Sequence, residues 1–199
     1  MKKFELTAES KINIFGKKLF RIKALISFGD VEEGETGGWI EKEENLEQSS
    51  GDAWVSGDAE VYGNARVYGN AEVYGNARVS GNARVSGDAG VSGNARVSGD
   101  AGVSGDAEVY GNARVSGNAE VYGNADYTTI HGFGTQFRTT TFFQCKDKQI
   151  RVSCGCFLGT IPEFREQVKN TREGKIAEEY LMIADLMEKH FVKEKESGE

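Results

Sequence analysis

A six-residue repeat occupies the middle of the chain and constrains its fold more than any other feature. Twelve consecutive units run from Gly51 to Tyr122, and each reads Gly-Asn/Asp-Ala-x-Val-Tyr/Ser. A unit this short cannot bury an apolar face by itself, so successive units must stack around a shared core. The repeat therefore predicts a mostly β protein built on a single-stranded parallel β-helix.

The positions within the hexad predict how each unit is used. Ala and Val should face inward and x outward, because successive side chains along a strand point to opposite sides. Gly and Asn/Asp should form the bend between strands, since these residues tolerate positive φ. Three such sides make an 18-residue coil, so we expect about four coils, with inward valines from Val55 to Val121.

The repeat divides the chain into three parts. Residues 1–50 contain β-rich runs and predict an N-terminal β cap, with Trp39-Ile40 and Leu46 forming an imperfect first turn. Without a cap, the first coil would expose its apolar interior and unpaired backbone groups. Residues 51–126 are the hexapeptide-repeat β-helix. Residues 127–199 are expected to form a C-terminal hairpin and α-helical unit.

Within the C-terminal part, two β-like runs at 138–145 and 149–157 predict the hairpin. Thr160-Ile-Pro-Glu163 has the spacing of a capping box and predicts the start of a helix. A second helix should begin near Lys175, where apolar residues recur at helical spacing. The polar tail from Lys193 is expected to fray.

Residues 18 apart should stack, which sorts the outward positions into three ladders. The first carries Glu60, Arg78, Arg96 and Arg114. The second carries Glu72, Gly90, Glu108 and Asp126, with Asp88 and Asp106 at the neighbouring bends. The third mixes Arg66, Arg84, Gly102 and Glu120. One side of the prism is therefore predicted to be basic and another acidic.

These ladders supply the candidate binding residues. Stacked arginines repel one another, so Arg78, Arg96 and Arg114 indicate a counter-charge or a ligand, unless they were simply copied with the repeat. Glu72, Asp88, Asp106 and Glu108 either imitate a row of phosphates or keep the rod soluble. Exposed tyrosines at the corners are typical contact residues, although packing between corners also explains them.

A third candidate site follows the repeat. The segment 131–141 contains glycines that free backbone N–H groups, and Arg138 with the hydroxyls of Thr139, Thr140 and Thr141 could hold an anion such as a phosphate. An ordinary β-turn explains the same glycines.

The cysteines indicate a reducing compartment. Cys145, Cys154 and Cys156 are odd in number and lie outside any disulfide-like framework. Cys154 and Cys156 are two apart in an expected strand, so their side chains should share a side. We favour structural thiols. The alternative is a zinc site that adds His131, but the C-x-x-C pairs typical of such sites are missing.

We expect no cofactor and no metal. Calcium-binding repeats run in nines and use an aspartate in nearly every unit, whereas the period here is six and most bends carry Asn. A catalytic reading is also disfavoured, because the chain's histidines are His131 and His190 and no nucleophile-base arrangement is indicated by spacing.

Charge and hydropathy exclude further classes. The net charge of -7 argues against direct nucleic-acid binding, which normally needs a basic surface. No apolar run is long enough for a membrane span and no signal-peptide pattern is present. We expect a soluble, cytoplasmic protein.

The hexads resemble the left-handed β-helix of the hexapeptide-repeat acyltransferase superfamily, with an aliphatic residue at Val61 and a small one four later at Ala65. The resemblance implies left-handed coils, a homo-oligomer and, as one alternative, acyl transfer with His131. The coils depart from the active transferases in lacking a histidine and a long inserted loop.

The whole chain is also similar to a group of bacteriophage and prophage proteins. The shared motifs are Arg21–Leu25, Gly37–Glu41, Asn45-Leu46, Val152–Thr160 and Glu163-Phe164. This resemblance implies a phage-encoded protein that acts in the infected cell.

Three functions remain open from the sequence. The leading expectation is a non-enzymatic protein that binds a host macromolecule, for example to inhibit an antiphage defence system. The second is a nucleotide or small-anion sequestering protein that uses Arg138, the threonines and the arginine ladder. The third is an acyltransferase-like enzyme.

Overall fold

The repeats form a parallel β-solenoid in the computed structural model, which describes residues 2–191. Equivalent residues of successive coils, 18 apart in the sequence, pair in parallel, as Arg96 does with Arg78 and with Arg114. The strands β4 to β15, in chain order, are Trp54–Val55, Glu60–Val61, Arg66–Val67, Glu72–Val73, Arg78–Val79, Arg84–Val85, Gly90–Val91, Arg96–Val97, Gly102–Val103, Glu108–Val109, Arg114–Val115 and Glu120–Val121. The 18-residue register predicted from the hexads is confirmed.

The core of the solenoid consists of the inward alanines and valines. From Ala53 to Val121, each of these side chains is at most 1% exposed. Burying one valine contributes about 1.5 kcal/mol before chain entropy is counted. Repeated along the rod, this narrow apolar column holds the three sides together.

The bends need glycine for two separate reasons, which Gly99 illustrates. Its φ is +72°, in the left-handed region that other residues adopt only at a cost. A Cβ at this position would also lie 2.9 Å from the backbone N and O of Gly117 in the next coil. Where another coil follows, as at Gly99, close stacking of the bends therefore leaves no room for a side chain on the glycine.

An N-terminal meander continues one side of the solenoid. Strands β1 (Phe4–Ile12), β2 (Lys18–Ala24) and β3 (Thr36–Ile40) pair antiparallel in order, and β3 then pairs in parallel with β5. A 3₁₀ turn at Glu43–Asn45 and a bridge from Leu46 to Val67 complete a further turn. With the coils of the repeat this gives about five turns. The imperfect first turn predicted from Trp39-Ile40 and Leu46 is confirmed.

Polar side chains replace the missing coil at the N-terminal end. Asn45 is fully buried, and its Nδ2 donates to the carbonyl oxygens of Gly63 at 3.2 Å and Ala65 at 2.8 Å. Lys3 Nζ donates to those of Gly51 at 3.0 Å and Ala53 at 3.2 Å. These bonds satisfy backbone groups that would otherwise be left unpaired inside the cap.

Residues 127–160 form a four-stranded antiparallel sheet beyond the last coil. Its strands are β16 (Tyr127–Phe133), β17 (Arg138–Gln144), β18 (Ile150–Cys154) and β19 (Phe157–Thr160), in that order. The hairpin of β17 and β18 was predicted. The single run predicted over 149–157 is wrong, because Gly155 at φ +62° turns the chain so that Cys154 pairs with Phe157.

Strand β17 joins two cores. Phe143 is fully buried in the solenoid core, together with Tyr127 and Cys145. Phe142, the next residue along, is fully buried on the opposite side against the helices. Alternation along one strand thus seals the last coil and anchors the C-terminal unit at the same time.

Residues 161–190 form two helices, α1 (Ile161–Thr171) and α2 (Gly174–His190), which cover the far side of this sheet. The predicted capping box is confirmed, since Thr160 N donates to Glu163 Oε2 at 2.7 Å and Glu163 N donates to Thr160 Oγ1 at 3.4 Å. Of the apolar stripe predicted for the second helix, Ile176 and Phe191 are half-buried, and the four buried members are Tyr180, Ile183, Ala184 and Met187. The fraying predicted from Lys193 concerns residues outside the described part of the chain.

The glycine requirement can be tested within one coil. Gly99→Ala should lower the free energy of unfolding by about 2 kcal/mol or more, through the left-handed φ and the contact with Gly117. Gly102→Ala is the matched control, because Gly102 has no positive φ and a Cβ there would meet nothing within 4 Å. Chemical denaturation should find Gly102→Ala unchanged or slightly stabilised. Equal effects would contradict the stacking argument.

A second prediction concerns alkaline pH. Tyr127 is buried and donates its hydroxyl to the carbonyl of Glu108, and burial raises the pKa of Tyr127 from 10.0 to about 12. The folded state therefore favours neutral tyrosine, so this contribution to stability is complete below pH 10 and falls as pH rises from 10 towards 12. The stability difference between wild type and Tyr127→Phe, measured by denaturation at pH 8 to 11, should shrink above pH 10. A constant difference would refute this role.

Candidate functional site

The register gives the solenoid three faces of different charge. We call them the arginine face (Glu60, Arg78, Arg96, Arg114), the acidic face (Trp54, Glu72, Gly90, Glu108) and the mixed face (Arg66, Arg84, Gly102, Glu120). Asp126 is not on the acidic face. It lies in a 3₁₀ turn, where its carboxylate accepts from the backbone N–H groups of Tyr122 at 3.0 Å and Gly123 at 3.2 Å. The acidic ladder therefore ends at Glu108, because the last coil ends before Asp126.

The arginine face is unevenly compensated. Arg78 Nε lies 3.4 Å from Oε2 of the buried Glu60, which also pairs with Lys11 at 2.9 Å. Arg114 Nη1 donates to the carbonyl of Gly155 at 3.0 Å. Arg96 lies between these two arginines and makes no ion pair within residues 2–191. Burial and the two neighbouring charges lower the pKa of Arg96.

The acidic face forms the floor of a groove, which we call the acidic groove. Its volume is about 880 Å³, and the loop that carries Asp30 and Glu35 borders it. The carboxylates that line it are Asp30, Glu35, Asp52, Glu72, Asp88 and Glu108. None of the described residues lining it is Lys or Arg. Asp106 is exposed at the bend before Glu108 and does not line the groove.

Aromatic residues give the acidic groove an apolar component. Trp54 is 5% exposed and lines its floor, while Tyr74 and Tyr110 are 46% and 60% exposed at its rim. These tyrosines are two coils apart, roughly 10 Å at the usual strand spacing. Gly90 lies between Glu72 and Glu108 in the ladder and leaves the gap open. The groove therefore combines carboxylates with aromatic surface.

The site prediction missed the contribution of the cap to this groove. Asp30 and Glu35 come from the cap loop, where hexad periodicity says nothing about placement. Asp52, in contrast, begins the ladder of bend residues that continues with Asn70 and Asp88. The alternation of tyrosine and serine at the corners, as in Tyr74, Ser92 and Tyr110, was the available signal for the rim.

The predicted threonine site is not assembled. Thr140 and Thr141 are buried, with Thr140 Oγ1 donating to Cys154 Sγ at 3.2 Å and Thr141 Oγ1 accepting from Arg114 N at 3.0 Å. Only Thr139 Oγ1, 3.2 Å from His131 Nδ1, lies beside Arg138 in an open cleft. Strand alternation turns Thr140 to the other side of the sheet, and the Thr141 hydroxyl is engaged by Arg114 N, so the three hydroxyls do not form one anion site.

The sequence groups Arg138 with three threonines. In the structure, Arg138 shares a cleft with an arginine of the solenoid. Arg114 and Arg138 line one cleft of about 500 Å³, together with His131, Thr139, Gly155 and Cys156. We call it the junction cleft, because it lies where the last coil meets the C-terminal sheet. The arginine ladder and the segment 131–141, predicted separately, thus meet at one place.

The cysteines do not converge. Cys145 is buried in the solenoid core, and burial raises the pKa of its thiol, which keeps it protonated. Cys154 packs on the helix side of the sheet, and Cys156 is exposed in the turn after it. The expectation that Cys154 and Cys156 share a side of one strand is wrong, because the strand ends at Cys154. Within residues 2–191, no three His, Cys, Asp or Glu residues are placed to hold a metal.

A comparison with known protein families finds a match to part of the repeat. The matching family is the YdcK beta solenoid repeat. The matched segments are 59–75, 71–87, 77–92, 89–105 and 107–123, all within the solenoid. A comparison with curated proteins gives no match. The family model therefore agrees with the parallel β-solenoid seen in the structure, and it leaves the N-terminal cap and the C-terminal unit unmatched.

None of the helices in residues 2–191 is both long enough and apolar enough to cross a lipid bilayer.

The strain on the arginine face can be measured. Arg96→Glu replaces two repulsive contacts with attractive ones, and Glu already occupies this hexad position elsewhere. We expect a gain in stability of about 0.5 kcal/mol that fades as salt is added. Arg84→Glu on the mixed face is the comparison variant, because only one of its two neighbours, Arg66, is charged and the other is Gly102, so a smaller gain is expected there. Thermal unfolding that shows equal gains, or no salt dependence, would count against a strained ladder.

Proposed function

We propose that this protein is a non-enzymatic binding protein that engages a macromolecule through the faces of its solenoid. The observation that carries the proposal is the acidic groove, a concave surface lined by six carboxylates and without a basic residue among the described residues that line it. Such a surface complements a positively charged partner and repels a negatively charged one. The partner we propose is a protein with a basic surface.

The chemistry of the groove suits a protein partner better than a small cation. Tyr74 and Tyr110 are exposed at its rim, and partly exposed aromatic side chains are enriched among the residues that dominate binding energy at interfaces. Their rings can also receive Lys or Arg side chains by cation–π contact. The carboxylates would steer the encounter, and the tyrosines would hold the complex.

The row of carboxylates also supports mimicry of nucleic acid. Glu72 and Glu108 project from a rigid parallel ladder two coils apart, with Asp88 at the bend between them. A partner that normally binds phosphates through Lys and Arg would meet a comparable line of negative charge. We propose that the protein competes with nucleic acid for such a partner.

The resemblance to phage proteins extends the proposal to its setting. The protein would be produced by a phage or prophage, and its partner would be a protein of the bacterial host, such as a component of an antiphage defence system. The motifs that support this are those shared with that group, including Gly37–Glu41 and Val152–Thr160.

Charge reversal on one face tests the proposal. Affinity capture from host lysate with the full chain should be compared for the wild type and Glu72→Arg/Glu108→Arg. Arg occupies the same hexad position elsewhere, so the fold should tolerate it. We expect the double variant to bind a basic partner with an affinity at least about tenfold lower, because complementary charges at the interface are removed.

Glu120→Arg on the mixed face is the matched control, because it makes the same substitution outside the acidic groove. This control should retain the partner that the double variant loses. The captured partner should also be displaced by short duplex DNA if mimicry is the basis of binding. A set of captured proteins that is the same for all three chains would reject the acidic groove as the binding surface.

A further inference from the structure

The junction cleft is a concentration of positive charge in a chain of net charge -7. Arg114 reaches it from the last coil, Arg138 from strand β17, and His131 from strand β16. None of the described residues that line the cleft is Asp or Glu. The composition of this cleft is therefore the opposite of that of the acidic groove.

Gly155 brings the two guanidinium groups together. Its carbonyl accepts a hydrogen bond of 3.0 Å from Arg114 Nη1, and a Cβ on Gly155 would lie 2.5 Å from Arg138 Nη1. Both guanidinium groups thus lie against one residue of the turn. Neither makes an ion pair within residues 2–191. A guanidinium group has five N–H donors, so a single carbonyl leaves most of Arg114's hydrogen-bonding capacity unused.

Phe137, the residue before Arg138, adds an aromatic side chain to the cleft. Phe137 has φ +47°, a conformation that costs energy for a residue other than glycine, and its side chain is 67% exposed. An exposed phenylalanine presents a flat apolar surface on which a nucleobase can stack. Arginines and an aromatic ring therefore line the same cleft.

We propose that the junction cleft binds a nucleotide, with Arg114 and Arg138 contacting its phosphate and Phe137 stacking against its base. Planar guanidinium groups match phosphate oxygens in charge and geometry. His131, with Nδ1 3.2 Å from Thr139 Oγ1, supplies a further hydrogen-bonding group at the same site. This inference is independent of the proposed function, because it uses another region of the surface.

The surroundings favour a mononucleotide over nucleic acid. The cleft has a volume of about 500 Å³, within the usual range for sites that enclose a small ligand. A long polyanion would also extend towards other parts of a molecule whose net charge is -7, with repulsion growing with length. The ladder of arginines that leads to the cleft ends at the buried Glu60.

The test is isothermal titration of the full-length protein with AMP, ADP, GMP, adenosine and inorganic phosphate. We expect at least one nucleotide to bind, with adenosine and inorganic phosphate each weaker by tenfold or more, because each lacks half of the recognised chemistry. Arg138→Gln should weaken nucleotide binding by about ten- to a hundredfold, the range for losing hydrogen bonds to a charged group.

Two further variants separate binding from folding. Gly155→Ala should weaken binding by displacing the Arg138 guanidinium, while Arg84→Gln on the mixed face should bind as the wild type does. Thermal unfolding without ligand would confirm that each variant is folded. A folded Arg138→Gln variant with unchanged affinity would overturn the proposal.

Comparison of the ligands in the same titration gives the remaining tests of the proposal. Absence of binding for every nucleotide at millimolar concentration would overturn the proposal. Inorganic phosphate that binds as tightly as AMP would overturn the nucleotide assignment. A short oligonucleotide that binds tighter than any mononucleotide, and depends equally on Arg138, would replace the small ligand with nucleic acid.

Discussion

From Asp58 to Asp100, the residue after each bend glycine donates its backbone N–H to the glycine carbonyl of the next coil, as Asp100 does to Gly117 at 2.8 Å. Similar bonds link the strands themselves, for example Arg84 N to Ala101 O at 2.9 Å. This stacking leaves no freedom of register, because a slip of one residue would turn the inward valines outwards. The core, the three faces and the spacing of their charges all depend on it.

The first and last coils each lack a neighbour on one side, and different groups pair their backbone atoms and close the core. At the first coil, side-chain groups of Asn45 and Lys3 donate to carbonyl oxygens that have no preceding coil to pair with. At the last coil, the backbone N–H of Arg114 is satisfied by the hydroxyl of Thr141, and Phe143 closes the core. The residues predicted to bind an anion are thus partly occupied in sealing the solenoid.

The sequence predicted what the repeat controls. The register, the buried Ala and Val column, the charged ladders and the capping box of α1 all follow from local spacing. The turn at Gly155 was missed because a β-rich run with one glycine looks like a single strand, and the positive φ appears only in three dimensions. The cap's contribution to the acidic groove and the whole junction cleft were missed, because they depend on where the cap loop and β17 lie against the coils, which periodicity does not encode. Coil handedness stays a prediction.

Because the hexad is a third of a coil, a change in the length of the solenoid can either preserve or alter the alignment of its faces. An insertion or loss of eighteen residues would move the C-terminal unit by one strand spacing, about 4.8 Å, and would keep every face aligned. A change of six residues would instead rotate the unit by one side of the prism. Arg138 would then lie beside a neighbouring face instead of beside Arg114. The same repeat therefore offers two kinds of variation, one that lengthens the binding surfaces and one that recombines them.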